Sequence, residues 1–366
     1  MPVRKSGKQV TIVDVATRAG VGVMTVSRAL REPSKVSKEL RKIIDKAIAD
    51  LNYIPNLNAR ALASTRTDNV AVLVPSLTQN IFSDVIRGVY DGVEDSGLRV
   101  EIFNTRYSSE VEEEQIAAIL RHQPAGIIVS GIEQTPACRE MLERAQCPVI
   151  QVMDMTDDPI QKIIGFSHVE AGRQMTQHLI DAGYRKIAFF ARWLNGRSGG
   201  RFQGYRAALE TAGLFDPDLV DLTEGEPERP HGHLQDSQQI STAAKGRSMM
   251  YDLLDRRPDA DAVFCNTDVL AIGALFACNS RGVSVPDQMG ITGFNDFDYM
   301  EAAWPPLSSV RIPRWQCGYD AMQAVRRQLA GEEPGPAVVD LGFEIMRRES
   351  TDPSGLVQTI VSQTAQ

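Results

Sequence analysis

No apolar stretch in these 366 residues reaches the roughly 18 that a membrane-spanning helix needs, so no transmembrane segment is expected. The basic start at Arg4, Lys5 and Lys8 runs into polar sequence and not into an apolar core, which argues against a secretory signal. Cysteine is scarce. Cys138, Cys147, Cys265, Cys278 and Cys317 are odd in number and never spaced as Cys-x-x-Cys. That disfavours a disulfide framework or a zinc site and suits reduced thiols in a cytoplasmic protein. No Walker loop occurs, and Gly20-Val21-Gly22 lacks the preceding strand and third glycine of a dinucleotide fingerprint. Gly196-Arg197-Ser198-Gly199-Gly200 spells G-x-S-x-G, but the preceding strand ends several residues earlier and only His231 and His233 follow. His231-Gly232-His233 offers no third metal ligand and reads as part of a solvated loop. No cofactor, metal or enzymatic activity is expected.

What is present points elsewhere. A hydrophobic content of 43% and a charged content of 23% are ordinary for a globular chain, and the length suits two or three domains. Charge is divided unevenly. Residues 1–66 hold 13 Lys/Arg against 5 Asp/Glu, a net of +8, so the remainder carries 39 − 13 = 26 basic and 47 − 5 = 42 acidic residues, a net of −16. A basic head on an acidic body is what a chain that meets a polyanion at one end should show, the plainer alternative being a solvated basic arm.

The head reads as helices. Thr11 can cap a run to Ala19 whose apolar Ile12, Val15, Ala16 and Ala19 share one stripe. Gly20-Val21-Gly22 interrupts it, and Val23–Leu30 forms a second short helix with Val26, Ala29 and Leu30 inward. After a turn at residues 33–37, Ser37 caps a third helix to about Leu51. Two helices joined by a glycine-containing turn match a helix-turn-helix, whose second helix fits the major groove. An arginine there can fork onto guanine, while Thr25 and Ser27 can hold phosphates.

From Asn69 onward short apolar strands alternate with amphipathic helices. Strands are expected at 70–74, 100–103, 126–129, 149–152, 186–190, 262–265 and 290–293, with helices such as 82–96, 111–122 and 169–182 between them. This alternation predicts doubly wound parallel sheets, and nearly 300 residues suggest two of them. Residues 221–247 read as a long polar loop.

The strings Thr11-Ile12-Val13-Asp14-Val15-Ala16, Ala19-Gly20-Val21, Thr25-Val26-Ser27-Arg28 and Leu51-Asn52-Tyr53-Ile54-Pro55-Asn56 resemble the head of the lactose-repressor (LacI/GalR) family, and the likeness runs to about Glu349. The resemblance implies a DNA-binding transcription regulator. Val23, Met24 and Arg28 would read bases, and Thr11, Thr25, Ser27 and Ser37 would hold the phosphate backbone. Gly22 departs from the family's usual capping serine. Asn56–Ser64, including Asn56 and Ala59, would be a hinge helix that forms on operator DNA, with Leu62 wedged into the minor groove.

The resemblance also implies a periplasmic-binding-protein-like body of two subdomains joined by three crossovers around a sugar-sized cleft. The organisation expected is a head at 1–55, hinge and linker at 56–68, a core at 69–350 and a tail at 351–366. Within the core, subdomain 1 would take 69–166 and 298–327, and subdomain 2 would take 167–297 and 328–350. Ligands in such sheets bind beyond the carboxyl ends of strands, which nominates Asn80, Phe82, Asp154 and Asp296. The resemblance implies Arg201 as the family's cleft arginine and Asp268 as a carboxylate that takes two sugar hydroxyls, and Arg192 and Arg197 add guanidinium groups suited to a carboxylate. Pro75-Ser76-Leu77-Thr78, Gly165-Phe166, Arg173-Gln174-Met175-Thr176 and Asp340-Leu341-Gly342-Phe343 look like the gluconate-repressor branch, although Ser167-His168 replaces the acidic residue usual after Gly-Phe. The expectation is therefore a homodimeric repressor that reads a pseudo-palindromic operator and is released by gluconate or a related sugar acid. The tail's Leu356, Val357, Ile360 and Val361 make no sustained heptad seam for a tetramer. The alternatives are a regulator responding to a neutral sugar or nucleoside, and, from another class, a solute-binding transport protein.

Overall fold

Val15, Ala16, Val26, Ala29, Ile44, Ala47 and Tyr53 form the small core around which three helices pack at the head of the chain. In the computed structural model, which describes residues 10–31, 35–53, 67–194, 196–222 and 241–353, these helices are α1 (Ile12–Ala19), α2 (Val23–Arg31) and α3 (Lys38–Asp50). The Asp14 carboxylate accepts hydrogen bonds from the Thr11 backbone N–H at 2.8 Å and its hydroxyl at 2.7 Å, which fixes the start of α1. Gly20 ends it with φ +67°, a left-handed geometry that glycine adopts without strain. The hinge residues Asn56, Ala59 and Leu62 and the tail beyond Pro353 lie outside the described residues.

The chain divides into two units at Thr67 and Asp68. The second holds two six-stranded sheets. The first sheet comprises β1 (Asn69–Val74), β2 (Arg99–Asn104), β3 (Gly126–Ser130), β4 (Val149–Val152), β5 (Lys162–Gly165) and β11 (Val338–Asp340), in the order β11-β5-β4-β3-β1-β2. The second comprises β6 (Ile187–Ala191), β7 (Val220–Leu222), β8 (Ala262–Cys265), β9 (Gly290–Asn295), β10 (Ser308–Arg311) and β12 (Glu344–Met346), in the order β12-β10-β9-β8-β6-β7. Among the described residues every pairing is parallel except β10 with β12.

Strand periodicity puts alternate residues on opposite faces. Val70, Val72 and Val74 of β1 join a core with Val85, Val89 and Met322, whereas Ala71 and Leu73 join Ile116, Ile119 and Leu142. The second sheet repeats the scheme. Phe189 and Ala191 meet Met175 and Tyr205, while Ala188 and Phe190 meet Met249 and Leu270. Helices therefore cover both faces, and central strands such as β1, β3, β6 and β8 read as continuous apolar runs.

Several boundaries differ from expectation. β10 lies in the second sheet, paired with β9, and β11 lies in the first, paired with β5. The chain thus returns to the first sheet after Arg311 and not near residue 298, and crosses again between Asp340 and Glu344. Ser308-Ser309-Val310-Arg311 has too little apolar content to read as a buried strand, and its serines are enclosed by hydrogen bonding to Thr351, Asp268 and Asp296. At the ends of the loop expected at 221–247, β7 continues to Leu222 and a helix begins at Ala243, while residues 223–240 lie outside the described residues. Among the described residues, no helix is long and apolar enough to cross a membrane.

Candidate functional site

In the head, α2 divides cleanly. Val26 and Ala29 are buried, whereas Val23 is 39% and Met24 69% exposed, and Arg28 is exposed beside them. Thr25 and Ser27 are half-buried at the margins of that face. Gly22 caps α2 with its carbonyl, which accepts from the Thr25 and Val26 N–H groups, but it has no side chain to offer. Ser37 accepts the Leu40 N–H at 3.3 Å and so caps α3. The result is a short helix with an apolar, solvated tip and a guanidinium one turn behind it, on a head whose first 66 residues carry a net +8.

In the body, sheet order dictates where a ligand can enter. The chain passes from β1 to β2 on one side and then returns past β1 to β3 on the other, and β6 stands likewise between β7 and β8. Crevices open beyond the carboxyl ends of strands at such switch points. A cavity of about 310 Å³ lies there, lined from the first subdomain by Gln79, Phe82, Tyr107, Ser130 and Glu133 and from the second by Arg192, Trp193, Arg197, Arg201 and Asn266. Its size suits a small polyol.

Arg201 anchors the second wall. It lies on a helix (Gly196–Ala212) that crosses the helix His168–Asp181 closely, because Gly172 and Gly204 each face a backbone carbonyl of the other helix where a Cβ would collide. Arg201 Nη1 donates to the Asn266 carbonyl at 2.6 Å and to Asn266 Oδ1 at 3.2 Å, Nε donates to His168 Nδ1 at 3.3 Å, and the guanidinium lies 3.7 Å from the Phe294 ring centroid. Burial, followed by repulsion from Arg197, pushes its pKa down to about 9, and it stays charged at neutral pH. Burial also holds His168 well below its ordinary value, so the imidazole is neutral.

Arg197 donates to Ser130 Oγ at 3.3 Å and lies 5.6 Å over the Phe82 ring. Arg192 stacks on Trp193 at 5.5 Å, and Trp193 meets Tyr107 edge-on at 6.5 Å. Tyr107 Oη donates to Gln79 Oε1 at 2.7 Å. Burial raises the pKa of Glu112, on the first wall, and raises Asp154 to about 6 against the pull of Arg197. Arg192 Nε, Thr267 Oγ1 and Asn295 Oδ1 are buried with no hydrogen-bond partner among the described residues, and all three belong to residues lining this cavity. A ligand carrying both hydroxyls and negative charge would answer that inventory.

Of the residues singled out from the sequence, Phe82, Arg192, Arg197 and Arg201 are brought together at the cavity. Asp154 is buried behind them, close enough to Arg197 and Arg201 to feel their charge. Three others are placed differently. Asn80 is exposed at the start of its helix, and Gln79 faces the cavity instead. Asp268 is fully enclosed, its carboxylate accepting from Ser309 Oγ at 2.6 Å and the Phe297 N–H at 2.9 Å. Asp296 accepts from Arg311 Nε at 2.8 Å and Arg348 Nη1 at 2.6 Å, tying the end of β9 to β10 and to the segment after β12. Their neighbours Asn266, Thr267 and Asn295 line the cavity. The strand-end rule could have found these neutral residues, and Glu133 after β3, had it been applied without favouring charge. Ser198, in the G-x-S-x-G string, sits on a helix and accepts from Asn266 Nδ2 at 2.7 Å, which is not the geometry of a nucleophile elbow.

Comparison with known proteins agrees with this architecture. The model of bacterial regulatory proteins of the lacI family matches residues 11–56, and that of the periplasmic binding protein-like domain matches residues 176–351. The HTH-type transcriptional regulator GntR of Pseudomonas aeruginosa is 38% identical over 341 residues, 93% of this chain and 95% of its own. Its namesake in Escherichia coli K12 is 33% identical over 92% of this chain and 97% of its own. The crystal structure of a LacI-family transcriptional regulator from Silicibacter pomeroyi superposes with a TM-score of 0.83 at 32% identity, covering 93% of this chain and 99% of that one.

Proposed function

The chain belongs to the LacI family of bacterial transcription regulators, and from that premise we propose that it represses genes of gluconate-type sugar-acid metabolism and leaves its operator when such an acid fills the cleft. One observation carries the choice of ligand. Arg201 is buried at the cavity and its hydrogen-bond partners among the described residues are all neutral, and Arg192 and Arg197 line the same space. A carboxylate is the natural complement of guanidinium groups so arranged. The remaining hydroxyls of a sugar acid meet Gln79, Glu133, Asn266 and Asn295, and its C–H faces meet Trp193 and Phe82.

The protein acts as a homodimer whose two heads read half-sites of a pseudo-palindrome. Val23, Met24 and Arg28 face the bases, while Thr11, Thr25, Ser27, Ser37, Asn56, Ala59 and Leu62 supply the remaining DNA contacts. An apolar tip at Val23 and Met24 favours contact with thymine methyl groups. Five buried, reduced thiols suit a cytoplasmic setting. Because the ligand touches both walls, it favours the arrangement that brings them together, and operator affinity falls by the factor through which the two sites are coupled.

Operator binding followed by fluorescence anisotropy, with and without gluconate, tests this reading. Weaker binding in saturating gluconate and no change with glucose is the expected result. Operator affinity that ignores gluconate would remove it as the effector. A steep fall of DNA affinity with salt is expected in either case, since the basic head displaces counterions.

A further inference from the structure

His168 is enclosed at 3% exposure, with Phe166 edge-on at 4.5 Å and Phe294 at 5.8 Å. Its two ring nitrogens have distinct partners. Nε2 lies 3.1 Å from the Met153 carbonyl, which can only accept, so Nε2 carries the proton. Nδ1 then presents a lone pair, and Arg201 Nε donates to it at 3.3 Å. With Nη1 on Asn266, two of the three guanidinium nitrogens of Arg201 are held by neutral acceptors, and Nη2 makes no hydrogen bond among the described residues. The charge is fixed in direction with no carboxylate hydrogen-bonded to it among the described residues, while Asp154 and Asp268 act on it only through space.

We propose that His168 is a positioning residue that aims Arg201 into the cleft through a neutral acceptor and thereby makes the cleft prefer an anion to the corresponding uncharged sugar. The inference rests on the sugar-acid reading above. A carboxylate in place of the imidazole would accept the same hydrogen bond but would also neutralise the guanidinium from behind, and an incoming acid would then lose its main attraction. A glutamine would accept through its amide oxygen and donate to Met153 through its nitrogen, preserving both direction and charge.

The test compares full-length wild type, His168→Gln and His168→Glu by isothermal titration with gluconate and with glucose. Wild type should prefer gluconate, and His168→Gln should keep that preference. His168→Glu should bind gluconate about 10- to 100-fold more weakly, the scale of one charge-assisted contact, without losing glucose affinity. Operator binding of all three proteins confirms that they are folded. As a check that needs no variant, imidazole nitrogen NMR of the ligand-free wild type should show Nε2 protonated and Nδ1 bare. Undiminished gluconate binding in His168→Glu, or a proton on Nδ1, overturns the inference alone. Failure of wild type to bind gluconate or any other six-carbon sugar acid overturns the sugar-acid reading, and the inference falls with it.

Discussion

Arg201→Met separates a ligand-binding arginine from a structural one by the size of its effect on stability. Burial brings Arg201 to about 9 from an ordinary 12.5, which corresponds to about 5 kcal/mol against keeping the cation in place. Methionine keeps the length and the packing on Phe294 while removing that cost. Against it stand a cation–π contact with Phe294 of about 2 kcal/mol and three acceptors, the Asn266 carbonyl, Asn266 Oδ1 and His168 Nδ1, left without their donor. Orphaned acceptors cost about 1–3 kcal/mol each, and the lower figure applies where cavity water can replace the guanidinium. The difference leaves Arg201→Met about as stable as wild type. Urea unfolding at pH 7 without ligand measures it, and titration with gluconate should show binding lost in the same variant. A loss of about 3 kcal/mol or more, the size seen when a buried ion pair is broken, would mean that Arg201 holds the fold together and that the ligand argument built on it is wrong.

Three further outcomes follow from the same geometry. Asp154 is raised to about 6 by burial, and a bound anion raises it further, so binding takes up a proton. Gluconate affinity should therefore rise about 3- to 10-fold as the pH falls from 7.5 to 5, and titration calorimetry should find the dependence reduced in Asp154→Asn, with the raised Glu112 accounting for any remainder. Met24→Ala, at a position 69% exposed, should cost about 1 kcal/mol of operator affinity, roughly fivefold, with an unchanged slope of affinity against salt because no charge is altered. Gly204→Ala should destabilise the body by about 3 kcal/mol in urea, since its Cβ would meet the Val169 carbonyl at the helix crossing that places Arg201.

How much of this was legible in the sequence depended on which physical signal each part carried. Val70, Val72 and Val74 alternate with Ala71 and Leu73 in a strand buried on both faces, and such an apolar run shows itself in composition. Lys162–Gly165, Ser308–Arg311 and the three-residue strands β7, β11 and β12 do not, because a lysine, two serines or mere brevity hides them until their neighbours are in place. The site divides in the same way. The position of the cleft follows from strand ends and sheet order, but the choice between adjacent residues does not. At Thr267-Asp268 and Asn295-Asp296 the carboxylate drew attention as the chemically stronger group, yet in both places the neutral neighbour lines the cavity. Backbone geometry decides the matter. Asn295 and Asp296 take positive φ angles of 118° and 54°, and that turn directs the Asp296 carboxylate to Arg311 and Arg348. Asp268, at the first turn of its helix, accepts from Ser309 and from the Phe297 N–H that follows the same turn. The two carboxylates thus brace the loop that carries Asn295. Because they face inward, neither accepts a hydrogen bond from Arg201, whose hydrogen-bond partners among the described residues, the imidazole of His168 and Asn266, are neutral.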